Sequence, residues 1–271
     1  MSYNNKEYWN SLVGKEMSLK EVGWPQWTEA FNKARYQLAA EQTIATLQTI
    51  YTSAPLSILE IGCGTGFWTN ILSTLYPNAI YLGIDISKSA INHLQEKYEN
   101  NSNIQFTLAD VGQENLTLHF ENYDLVICME VLLHITNDHA WKNAMSNILN
   151  HTNKFAIISD PFIMYHGLQQ SGSENNKLRK WTDYENEIKK NNASVISITP
   201  RTFLLDNNID FKTKIGLKLW NLFFKLWNKL LQIKNEKLGN ILGTIAYRFD
   251  KWHFKKTKYG NSCRQVLLKK N

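Results

Sequence analysis

From about Ser57 to Ser159, short apolar runs alternate with stretches in which apolar residues recur every three or four positions. The short runs, bounded by glycine or polar residues, predict strands at Ser57–Ile61, Ile80–Ile84, Ile104–Leu108, Tyr123–Met129 and Lys154–Ser159. The longer-period stretches predict helices over Gly66–Leu75, Lys88–Tyr98 and His139–Leu149. Tyr123–Met129 (YDLVICM) is apolar on both faces, as a central parallel strand is. Such alternation predicts an α/β sheet with helices on both faces. Before it, Phe31, Leu38, Ile44 and Leu47 stand at helical spacing, so an N-terminal helical segment is expected through about Tyr51. After Pro161 the rhythm weakens: Gly167–Lys180 reads as a loop, Tyr184–Lys190 as a short helix and Ala193–Ile198 as a sixth strand. Lys214–Ile233 is a strongly amphipathic helix, a second helical pattern runs through Ile241–Trp252, and Val266–Leu268 predicts a last strand. The implied organisation is an N-terminal helical cap (1–51), an α/β core (52–205), and a basic helical insertion with the last strand (206–271).

Charge changes this picture at one end only. Residues 206–271 hold 15 Lys and Arg against 4 Asp and Glu, a net of +11, whereas the preceding residues are net −5. The last quarter therefore points to an acidic surface or partner. The opening MSYNNKEYWN lacks a basic region followed by an apolar core, and three scattered cysteines suit a reducing compartment. A cytoplasmic location is expected, with the inner membrane surface as the alternative.

The candidate chemistry begins at Leu59–Thr69 (LEIGCGTGFWT). Gly62, Gly64 and Gly66 alternate between a strand and a helix, where glycine permits positive φ and lets a ligand lie against bare backbone. A dinucleotide site would instead show G-x-G-x-x-G. Glu60, two residues before the first glycine, would repel a pyrophosphate but suits a ligand carrying an ammonium and a sulfonium, which is S-adenosylmethionine. Asp85, 19 residues after Gly66, ends the second strand, where a carboxylate can accept from both hydroxyls of a ribose. Asp110 follows the third strand and can accept from an adenine amino group while Val111 packs on the ring. Met129 and Glu130 end the fourth strand beside the expected crevice. The plainer reading is that these glycines serve tight packing and that Asp85 and Asp110 cap helices.

The run from Ile58 to Ser159 resembles the class I S-adenosylmethionine-dependent methyltransferase core, and CMEVLLHI (Cys128–Ile135) is similar to the matching stretch of small-molecule O-methyltransferases. The resemblance implies a Rossmann-like sheet and S-adenosyl-L-methionine as cofactor. It implies a cofactor set of Glu60, Gly62, Cys63, Gly64, Gly66, Asp85, Ile86, Asp110, Val111 and Met129, with Arg35 of the FNKARY segment closing over the methionine end. The N-P-P-Y-type tetrapeptide of amino-methylating enzymes does not follow strand four, where MEVLLH stands.

Methyl transfer to a hydroxyl needs a proton removed, and His134, five residues past Met129, is the candidate base. The competing reading has His134 shape the pocket, with Asp160, Tyr165 or His166 facing the acceptor instead. No metal-ligand spacing occurs, so a metal-independent enzyme is expected. The expected acceptor is a small molecule, a glycan or a lipid-linked intermediate. The rival functions are a nucleic-acid methyltransferase, against which the interleaved large apolar residues argue, and a non-catalytic cofactor-binding subunit. The Lys212–Lys234 region, six lysines and no acid among Trp, Phe and Leu, reads as a lid or packing helix, a homodimer contact, or a peripheral membrane contact.

Overall fold

The computed structural model describes residues 5–12, 18–119, 121–166, 175–207, 209–256 and 263–271. Its centre is a sheet with strand order β3-β2-β1-β4-β5-β8-β7, where β1 is Ser57–Ile61, β2 Ile80–Asp85, β3 Ile104–Leu108, β4 Tyr123–Met129, β5 Thr152–Ile163, β7 Ala193–Pro200 and β8 Cys263–Lys270. A two-residue strand, β6 (Arg179–Lys180), pairs with the end of β5. Strands β1 to β5 run parallel, and β8 inserts antiparallel between β5 and β7. This is the Rossmann-like α/β architecture expected from the alternation.

Helices cover both faces, and strand alternation divides the core between them. Leu59 and Ile61 of β1 with Val126 and Cys128 of β4 face Trp141, Ala144, Met145 and Ile148 of α6 (Asp138–Asn150) and Ile188 of α7 (Trp181–Lys190). Ile58, Leu125 and Ile127 turn the other way, onto Ala39, Ala40 and Leu47 of α3 (Glu29–Ile50) and Leu72 of α4 (Phe67–Leu75). Helix α5 (Lys88–Lys97) lays Ile91 and Leu94 on Phe106 and Cys63. Side-chain caps set the helix starts: Thr28 accepts from the Phe31 N–H, Ser87 from Ala90, and Asn137 from His139 and Ala140.

Several boundaries differ from expectation. Strand β5 continues through Pro161 to Ile163, because β4 pairs no further than Ser159 and a missing N–H at 161 costs no ladder bond on that side. Strand β8 starts at Cys263, since Arg264 and Gln265 are buried and hydrogen-bonded inside rather than exposed. Of the loop expected over Gly167–Lys180, residues 167–174 lie outside the described residues and 179–180 form β6.

Two short helices, α1 (Asn5–Leu12) and α2 (Leu19–Val22), precede α3, and two long ones, α8 (Lys214–Leu231) and α9 (Glu236–Lys256), precede β8. Helix α9 packs on α3 through Gly239, Gly243 and Ala246, and Leu231 of α8 joins Trp27 and Phe31 in the same cluster. A Cβ at Gly239 would stand 1.9 Å from Thr28 Oγ1, the buried N-cap of α3. Gly239→Ala is therefore expected to cost about 1–3 kcal/mol, read as a lower urea midpoint. An unchanged midpoint would show that α9 does not seat on α3 this closely.

Candidate active site

The ends of β1 to β4 and the turns after them line one cavity, as the crevice rule for open α/β sheets requires. In the first turn Gly62, Gly64 and Gly66 have φ of 74°, 46° and 75°. A side chain at Gly62 would strike Val131 and one at Gly66 would strike Leu94, so those two serve packing. At Gly64 the nearest atom to an added Cβ is 3.9 Å away, and there the backbone lies bare to the cavity. The Gly64 N–H donates to Asp85 Oδ2 (2.9 Å) and the Ser87 N–H to Asp85 Oδ1 (2.8 Å). Burial raises the Asp85 pKa, while these backbone bonds oppose the rise. A carboxylate has about four acceptor positions, and these backbone bonds do not use all of them, so acceptor capacity remains for a ligand. Asp110 Oδ1 accepts from the Gly112 N–H (2.8 Å), and Cys63, Ile86, Val111 and Met129 form apolar wall. Burial pushes the Cys63 thiol up, which keeps it from acting as a nucleophile.

A second cavity, of about 390 Å³, adjoins the first and shares Trp9, Val22, Glu130 and His134 with it. Glu130 has φ of 61°, a left-handed conformation that costs a non-glycine residue of order 1 kcal/mol or more and is concentrated at functional sites. Its Oε2 accepts from Arg35 (2.6 Å) and its Oε1 lies 3.4 Å from Arg201, while Arg35 also reaches Asp206 (3.1 Å). Burial alone would raise the Glu130 pKa, but Arg35 and Arg201 outweigh it and hold the carboxylate below its usual range. Asp206 moves the other way, raised by burial more than Arg35 lowers it.

His134 closes a one-turn 3-10 helix, Leu132–His134, directly after β4. Its Nδ1 lies 3.1 Å from the Asn175 carbonyl oxygen, which only accepts, so the ring hydrogen sits on Nδ1 and Nε2 keeps a lone pair. Burial lowers its pKa below 6.5, partly offset by Asn175 and Glu130. The imidazole is thus neutral at pH 7. Trp9 of α1 covers it edge-on, with centroids 4.8 Å apart.

Gly62, Cys63, Gly64, Asp85, Ile86, Asp110, Val111, Met129 and His134 therefore line one cavity, whereas Glu60, Gly66 and Arg35 do not. Glu60 shares the strand face of Ile58 and is buried beneath the site, accepting from Thr69 and Tyr81 hydroxyls; burial pushes it up to about 8. It offers no charge to a ligand's ammonium, and the period-two register with Ile58 was the available signal. Arg35 lines the second cavity. Asp160 does not face that cavity either: it is buried, takes a bond from the Tyr184 hydroxyl and supports the histidine turn through the Leu133 N–H (3.2 Å). Neither Tyr165 nor His166 lines either of these two cavities; the Tyr165 N–H is held by Asp210 and the His166 N–H by Phe211. Trp9, Val22 and Asp206 carry no sequence signal for the site, because they reach it from remote segments only once the chain is folded.

Residues 58–154 match the profile of a family described as a methyltransferase domain. Over residues 58–154 the chain is thus similar to methyltransferase domains. Over 99 residues it is 31% identical to a malonyl-(acyl-carrier protein) O-methyltransferase of Acetivibrio thermocellus, covering 36% of this chain and 33% of that relative. It is 31% identical over 96 residues to a ubiquinone biosynthesis O-methyltransferase of Glaesserella parasuis, covering 34% and 40%. The chain thus matches only a third to two fifths of these relatives' length. Among solved structures, the magnesium protoporphyrin IX methyltransferase of Synechocystis superposes with a TM-score of 0.55 at 16% identity, covering 99% of this chain and 98% of that one. That likeness reaches beyond the methyltransferase domain to the whole fold.

Buried carboxyls give the domain a definite pH response. Burial pushes Glu60 to about 8 and Asp160 to about 7, from ordinary values of 4.5 and 3.8. Between those limits the native state holds protons that the unfolded chain releases, so this stability is full below about pH 4 and is lost as pH rises to about 8. The urea midpoint should fall from pH 5 to pH 8, and Glu60→Gln with Asp160→Asn should flatten the fall. A midpoint that rises over this range would contradict the assignment.

Proposed function

We propose that the chain is an S-adenosylmethionine-dependent methyltransferase acting on a hydroxyl of a small molecule, glycan or lipid-linked acceptor. The observation that carries this reading is the meeting of two cavities at a neutral, oriented histidine. The residues of the first cavity fit the cofactor: bare backbone at Gly64, open acceptor positions on Asp85 for a ribose diol, Asp110 for the adenine amino group, and Val111 and Ile86 for the ring. Glu130, ionised between two arginines, is the anionic wall group that suits a cationic ligand, in the part expected of Glu60. When bound, the cofactor supplies an electrophilic methyl group on a sulfonium.

The chain's own contribution is orientation, water exclusion and proton removal. Trp9 and Val22 cover both cavities, and Trp24 closes the second. Holding two reactants in line is worth up to about 7–11 kcal/mol. His134 Nε2, free of the proton that Asn175 holds on Nδ1, takes the hydroxyl proton, a step worth roughly 100- to 10,000-fold. Leu133 and Asp160 position that ring. Oxygen as the atom methylated is supported by the names of the two curated relatives described above, both O-methyltransferases.

Calorimetry should show S-adenosylmethionine binding, with Asp85→Ala weakening it by about 1.5–3 kcal/mol; equal affinity would remove Asp85 from the ribose role. Transfer of labelled methyl into fractionated cell extract identifies the acceptor. With that acceptor, kcat should be level above pH 6.5 and fall below it as His134 gains a proton. His134→Ala should lower kcat by about 100-fold or more without changing cofactor affinity. Unchanged kcat would make the histidine a wall residue.

A further inference from the structure

Helix α8 packs through one side only. Leu217, Trp220 and Leu231 are buried, and the Trp220 and Trp227 ring N–H groups donate inward to Asn207 Oδ1 (3.3 Å) and the Leu204 carbonyl (3.0 Å). At about 100° per residue the remaining surface splits into two parallel stripes. One is Lys214, Lys218, Lys225 and Lys229. The other is Ile215, Leu219, Leu222, Phe223, Leu226 and Leu230, with exposures from 43% (Phe223) to 72% (Ile215). No residue of α8 lines either cavity, so of the lid and packing roles expected of it the geometry favours packing. Helix α9 repeats the pattern, with exposed Ile241, Ile245 and Trp252 beside exposed Lys237, Arg248 and Lys255.

Three of the four acids of this region are buried, and the fourth, exposed Glu236, caps the start of a neighbouring helix. Asp206 pairs with Arg35, Asp210 with Arg264 (2.9 Å), and Asp250 accepts from the backbone of Phe203, Leu204 and Leu205. Glu236 accepts from the Glu29 and Ala30 N–H groups at the start of α3. The surface that α8 presents is therefore cationic and apolar with no acid of its own.

We propose that this face of α8 lies on an anionic lipid bilayer, its leucine stripe at the headgroup–acyl boundary and its lysines on lipid phosphates. A basic helix with a separate apolar face binds in this way through buried area plus charge attraction. Charge decides against a second copy as occupant, because a two-fold pairing would set two acid-free lysine rows into one interface. Among the described residues no helix is long and apolar enough to cross a membrane, so the contact is with one leaflet.

The test is co-sedimentation of the full chain with vesicles of phosphatidylcholine alone or mixed with phosphatidylglycerol, without cofactor or acceptor. Its outcome is thus separate from that of methyl transfer. Binding is expected to the anionic vesicles only, and to fade as salt rises from about 0.1 M to about 1 M. Lys218→Gln, Lys225→Gln and Lys229→Gln together should reduce partitioning on the order of a hundredfold. Leu222→Glu should also abolish it, with the urea midpoint unchanged because the side chain is already exposed. Failure to sediment with either vesicle, equal binding to neutral vesicles, or a dimer in analytical ultracentrifugation that Leu222→Glu dissolves would each overturn the proposal.

Discussion

Arg35 lies buried between two carboxylates that belong to distant parts of the chain, and the arrangement of the site follows from that placement. Its guanidinium joins α3 to Glu130 at the end of β4 and to Asp206 after β7. A buried cation is costly unless its donors are met, and leaving one member of such a group unpaired costs about 3–5 kcal/mol. The N-terminal helices, the sheet edge and the start of the C-terminal segment are therefore fixed against one another at a single point. Arg201 adds a second cation on Glu130, and together they hold that residue in its left-handed conformation. The same contacts keep Glu130 ionised where the two cavities meet, while Asp206, with one arginine, is raised instead.

The site separates its tasks by environment. Backbone and carboxylates at the ends of β1, β2 and β3 form a cradle whose acceptors are partly committed to the fold and partly open. The turn after β4 carries a histidine kept neutral by burial and oriented by a carbonyl. Supporting groups lie one layer deeper: Asp160 under the histidine turn and Glu60 under the glycine turn, both raised by burial. Raised carboxyls beneath and a lowered one at the junction follow from burial dominating in one case and arginines outweighing burial in the other.

What was legible in the sequence follows the same physics. Strands β1 and β4, apolar on both faces, read directly, and so did the glycine turn and the two aspartates, because local spacing specifies them. Helix α8 showed its apolar content but not which part packs; Leu231, Phe224 and Trp227 join the cluster around Phe31, whereas Leu219, Leu222 and Leu226 meet solvent. The ends of β5 and β8 were hidden by Pro161, Arg264 and Gln265, residues whose partners come from other strands and helices. Arg35 was expected at a ligand and is instead bound to protein carboxylates, which no local pattern reveals.

The central claim is that a cavity at the strand ends, roofed by the N-terminal helices, takes S-adenosylmethionine. Amide hydrogen exchange with and without that compound tests it most directly, because backbone protection reports where the ligand sits. The account predicts slowed exchange in peptides spanning 62–66, 85–87, 110–112 and 129–134, together with 5–12 of the roof, and none in 214–231. Unchanged exchange in the strand-end peptides, or protection centred on α8, would contradict it.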